Sequence, residues 1–155
     1  MTTSHSDQVP RAAAVVALGG VALIHLLELQ GKLKEVPYLG VGYILLVAAS
    51  VVAAALLIHS NSRLGWLIGG GAALATLIGF TLNRTVGLPQ SKDDIGNWLE
   101  PMAMAAMFVE AVVVMLAAYA FSMMSRPSHD DSAFDSEFES SFNSDSATRP
   151  EHSNA

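Results

Sequence analysis

The chain has no cysteine, little charge and few aromatic rings. Without cysteine there can be no disulfide, no thiolate nucleophile and no Cys-ligated metal. Charged residues make up only 14% of the 155 positions, and they form no Lys/Arg-rich patch that could follow a phosphate backbone, which excludes nucleic acid as a partner. The net charge of −6 is local: residues 127–155 carry seven acidic side chains and one basic one, Arg149, whereas residues 1–126 balance seven against seven. The acidity therefore describes a tail and not a surface. Also missing are a phosphate loop, a nucleophile elbow, an H-E-x-x-H pair and a dinucleotide fingerprint. The expectation is a protein that is not an enzyme.

What the chain does have is four apolar blocks, over residues 12–30, 38–59, 64–83 and 100–122. Each is about 20 residues, enough for a helix to cross a hydrocarbon core of about 30 Å. Backbone polar groups find no partner in lipid, so the blocks must be helices. Arg11 before the first block resembles the start of a signal peptide, but the apolar run continues through Leu29 with no small-x-small site, so a retained helix is expected. Short links, "GKLKEVP", "SNS" and "TVGLPQSKDDIGNW", predict an up-down-up-down bundle over residues 12–126. The predicted fold is an all-α, four-helix transmembrane bundle, preceded by a flexible segment 1–11 and followed by a disordered acidic tail 127–155.

The expected location is the cell membrane, multi-pass. Arg11, Arg63 and Arg126 mark the side of the termini, against Lys32, Lys34, Arg84 and Lys92 on the other. This is nearly a tie under the positive-inside rule. Cytoplasmic termini are expected because an acidic tail is easier to leave untranslocated. Trp66 and Trp98 fall at opposite faces and are expected as interfacial anchors. The Gly65-x-x-x-Gly69 spacing fits close helix packing within the chain or a homodimer seam.

Ionisable residues inside apolar blocks are costly and therefore informative. His25 and Glu28 are three apart and share one face of the first helix. Arg84 ends the third block, Glu100 opens the fourth, and Glu110 lies about 15 Å deeper, near the bilayer midplane. Glu100, Met104, Met107 and Glu110 fall within an arc of about 120° on one helix face. The expectation is one polar pocket of His25, Glu28, Arg84, Glu100 and Glu110, opening towards the 85–99 loop. Partners open to Glu110 are His25, Arg84, Thr76, Thr81 and Asn83. His25, Glu110, Met104 and Met107 are the weak candidates for a metal ion, with packing as the simpler role for the methionines. Haem is not expected, because His25 and His59 lie near opposite faces and cannot ligate one iron together, and His5, His129 and His152 are in the termini. No cofactor is expected beyond such an ion.

"HLLELQGKLKEVPYLGVGY", "NRTVGLP" and "WLEPMAMAAMFVE" together resemble a group of small four-helix prokaryotic integral membrane proteins with the pattern H-x-x-E … PYLG … RTVGLP … E. The resemblance covers most of residues 25–110 and leaves out the tail. It implies the four-helix fold and the importance of His25, Arg84, Gly87, Pro89 and Glu110, with Gly87 and Pro89 shaping the loop. It implies no reaction.

The tail is too rich in serine and acid to bury a core of its own. Phe134, Phe138 and Phe142 recur every four residues, so that segment 134–142 would make one helical stripe for a soluble partner, beside the reading in which the spacing is incidental. Three functions follow as expectations. The first is a membrane protein whose pocket binds, moves or senses protons or cations. The second is a non-catalytic accessory subunit of a membrane complex, or a homo-oligomer. The third and weakest is a membrane oxidoreductase, for which no ligand set is found.

Overall fold

The computed structural model describes residues 5–60 and 62–125. They form α1 (His5–Glu35), α2 (Pro37–His59), α3 (Arg63–Thr85) and α4 (Pro101–Met124), with a short 3-10 turn, Lys92–Asp94, between α3 and α4. No strand occurs among the described residues. Residues 1–4 and the acidic tail, with its Phe134, Phe138 and Phe142, lie outside them.

Sequence chemistry sets the helix ends. Lys32, Leu33, Lys34 and Glu35 are good helix formers, with the lysines favourably placed at a helix C-terminus, so α1 runs on to Glu35. The link expected over 31–37 shrinks to Val36, held out of the helical conformation because Pro37 follows it. Pro37 and Pro101 start α2 and α4, where a missing N–H costs nothing. Ser62 caps α3 by accepting from the Gly65 N–H at 3.1 Å.

Each helix packs on the one before and after it, and α1 closes the square against α4. Every helix contributes one narrow inward stripe. On α1 it is Ala14, Leu18, Val21 and His25, and on α4 it is Ala106, Glu110, Val113 and Ala117. The outward faces are apolar too, as at Leu23, Leu45, Leu67, Phe108 and Met115. In water such a surface would be a liability, and in lipid it is what solvation requires. All four helices are long and apolar enough to cross a membrane, and the chain is an all-α integral membrane bundle.

Small residues set the helix spacing. Gly65 and Gly69 face inward: a Cβ at Gly65 would meet Leu57 at 3.2 Å, and one at Gly69 would meet Leu18 at 3.2 Å and Ala53 at 3.3 Å. The G-x-x-x-G pair thus packs within the chain. Trp66 differs from expectation. It is buried with Leu57 and Ala117 in the apolar core and not turned to the interface, whereas Trp98 is partly exposed and meets Phe80 edge-on at 6.0 Å.

The bundle has two levels. Near the end of α2 and the start of α3 it is filled by Ala14, Leu18, Leu57, Trp66 and Ala117. Towards Val36 and the 86–100 connection the interior is polar.

Candidate functional site

The polar level is a cavity of about 320 Å³ lined by all four helices and by Leu88 and Asp94 of the α3–α4 connection. His25, Glu28, Arg84, Glu100 and Glu110 all line it. Two ion-pair groups organise it, one deep and one near the loop.

The deep group is His25 and Glu110. Their side chains are 4% and 1% exposed, and Nε2 lies 3.4 Å from Oε1. That is close enough for charge interaction but off hydrogen-bond alignment, so Oε1 of Glu110 has no hydrogen-bond partner. His25 Nδ1 lies 2.9 Å from the Val21 carbonyl oxygen. A carbonyl only accepts, so Nδ1 carries a hydrogen and donates it. Nε2 is then either a bare acceptor or, in the imidazolium, a second donor. Attraction to Oε1 requires one proton between the two groups, on the imidazole or on the carboxyl. With that proton the pair is neutral overall. Without it, a carboxylate would face a lone pair in a buried site, which is costly.

Tyr43 from α2 meets His25 edge-on, with ring centroids 4.7 Å apart, and its hydroxyl neighbours the Glu28 carboxylate. Thr76 from α3 lines the same space, but its Oγ1 donates to the Ala72 carbonyl at 3.0 Å.

The outer group centres on Arg84, which is 5% exposed. Nη1 contacts Asp94 Oδ1 at 3.0 Å and donates to the Asp94 carbonyl at 3.1 Å, while Nη2 donates to Glu100 Oε2 at 2.7 Å. The guanidinium also lies 5.0 Å from the Phe80 ring centroid. Asn83 donates to Asp94 Oδ2 at 2.9 Å and accepts from the Leu88 N–H at 3.1 Å, and Ser91 donates to the same Oδ2 at 2.7 Å. Burial works to raise the Asp94 carboxyl. The bonds from Ser91 and Asn83 and the Arg84 charge outweigh it and hold Asp94 below the usual carboxylate range. The connection is thereby tied to the end of α3.

Gly87 and Pro89 sit where this connection turns. Gly87 has φ +76°, and a Cβ there would lie 2.9 Å from Ile95 Cδ1. Glycine is the residue that adopts this left-handed conformation without strain. The Pro89 carbonyl accepts from the Tyr38 hydroxyl at 2.6 Å, which joins the start of α2 to the α3–α4 connection.

Several expectations change. Met104 is 49% exposed and does not line the cavity, because Ala103, Ala106 and Met107 take the inward positions beside Glu110. Thr81 is exposed and donates to Leu77, and Asn83 and Arg84 are taken up by the connection, which leaves His25 against Glu110. Among the described residues no group of three His, Asp or Glu stands close enough to hold a metal ion. Sequence reasoning missed Asp94 and Tyr43. An acidic residue in a loop reads as solvated, and a tyrosine in an apolar span reads as packing. The only signal was that "SKDD" stands close in sequence to both Arg84 and Glu100.

Comparison of the chain with protein-family models, with curated proteins and with solved structures finds no match.

Proposed function

We propose that this membrane protein binds a proton, or a cation in its place, at the His25–Glu110 pair, and that the cavity connects that site to the side of the membrane where the α3–α4 connection lies. The observation that carries this reading is the unpartnered, buried Oε1 of Glu110 facing His25 Nε2 at 3.4 Å. A structural clasp would align the two for a hydrogen bond. A group that exchanges its proton gains from a looser fit and from an aqueous approach, here past Glu28, Arg84 and Glu100. On this reading the protein moves or senses the ion and is not an enzyme, and its termini are cytoplasmic.

The test is Glu110→Gln, which keeps shape and removes the titrating group. Full-length protein in lipid vesicles is followed by infrared difference spectroscopy during a pH step. The wild type should show a carboxyl band that responds to pH, and Glu110→Gln should lose it with its helical circular dichroism intact. A spectrum unchanged by the substitution would mean that the pair only clasps the bundle.

A further inference from the structure

The cavity has room for more than a proton. Its volume of about 320 Å³ falls in the range of sites that hold small organic molecules, about 300–1,000 Å³. Two glycines keep it open. Gly42 on α2 and Gly79 on α3 both line it, and a Cβ built on either meets no atom within 4 Å.

Its charges are unbalanced. Glu28, Asp94 and Glu100 face the single guanidinium of Arg84. Lys32 at the rim adds a second positive charge near Glu28 and Asp94 and pairs directly with Glu35 at 3.3 Å, which leaves three carboxylates facing two cations. Glu28 is in no ion pair among the described residues. One helical turn deeper, Glu110 Oε1 is buried without a hydrogen-bond partner. The cavity therefore offers excess negative charge and an unused acceptor to a cation.

A bare metal ion fits poorly, since no three His, Asp or Glu converge among the described residues. Much of the wall is aliphatic instead: Leu39, Leu46, Ala75, Ala106 and Met107. A cation that brings its own apolar body satisfies both the charge and the wall. We propose that the cavity binds a monovalent organic cation, an ammonium bearing a compact apolar group, with the charged end between Glu28 and Glu110 and the apolar end against α2 and α3. This rests on the reading of the cavity as a cation site.

Benzyltrimethylammonium is a suitable probe because its charge does not titrate. The full chain in zwitterionic nanodiscs is titrated calorimetrically against empty nanodiscs, with neopentylbenzene as the neutral isostere and sodium chloride as the inorganic control. Saturable binding of the ammonium is expected, about tenfold or more tighter than the isostere, with a loss of about tenfold in Glu28→Gln. Gly79→Leu, which narrows the cavity without touching a charge, should abolish ammonium binding, whereas a pH-dependent Glu110 carboxyl band should still be present, because a proton needs far less room than the ammonium. That difference separates failure of this proposal from failure of the proton reading. Gly42→Leu tests the same point from the neighbouring helix α2 should Gly79→Leu not fold. Absent ammonium binding, equal binding of the isostere, binding of sodium alone, or full affinity in a folded cavity-filled variant would each overturn the proposal.

Discussion

Removing the Arg84 guanidinium would strand two carboxylates at once, Asp94 and Glu100. Breaking a buried pair costs about 3–5 kcal/mol. Both partners keep some hydration, so Arg84→Ala should fall below that range, at about 2–3 kcal/mol, in detergent unfolding monitored by circular dichroism. Arg84→Lys should not restore it, because one ammonium cannot reproduce the fork that reaches both acids. Asp94 adds a pH dependence with a definite sign. Its carboxyl is held below the usual range, so its contribution to stability is complete above an unfolded value of about 3.9 and fades as the pH falls through the lowered folded value. Asp94→Asn should flatten that acid limb of the melting profile. At this scale the sequence was informative where chemistry was out of place. His25, Glu110 and Arg84 stood out because ionisable groups are rare in apolar helices. Asp94 sits in a polar loop, where its type carries no surprise, and only folding brings it beside Arg84.

A helix that crosses lipid satisfies its own backbone, so the four elements were visible as blocks of apolar length. Their ends were less so. α1 continues five residues past the expected limit of 30, because nothing before Val36 stops it. Which face of α4 turns inward was only partly visible, since periodicity placed Met104 with Glu110 while the packing chose Ala103, Ala106 and Met107. Close approach is set by glycine. A Cβ at Gly40 would lie 2.9 Å from the Leu33 Cα, a backbone atom that cannot swing aside. Gly40→Ala should therefore force α1 and α2 apart, and Gly87→Ala should strain the exit from α3. Each is expected to lower stability by about 1–3 kcal/mol. Gly19→Ala, with nothing within 4 Å of its new Cβ, is the matched control in the same thermal assay.

For the whole molecule, the core and the ion pairs of the described residues lie before Ser125. The serine- and acid-rich segment 128–155 offers little apolar mass to add. Its deletion should leave membrane insertion and the melting temperature unchanged, as measured by membrane extraction and thermal scans. Reporter fusions at Met1 and Ala155 should report the same side of the membrane, as four crossings require. The architecture was legible because length and hydropathy leave a lipid-spanning chain few choices. The function was not, because the same charges in the same helices serve a clasp, a relay or a ligand site, and only their alignment tells these apart.

The filled level beneath Glu110 has a consequence for throughput. Leu18, Val21 and Val113 are almost completely buried there, and Ser50, between Leu46 and Ala53 on the inward stripe of α2, adds one buried hydroxyl to that otherwise apolar level among the described residues. In this arrangement the cavity is a cup and not a pipe. A cup fills once: uptake from the loop side should stop at a fixed number of ions per chain, whatever the driving gradient. A steady current would require the apolar level to open in turn, and so a second packing of Leu18 against Val113. Whether uptake in sealed vesicles levels off or continues thus distinguishes a sensor from a carrier.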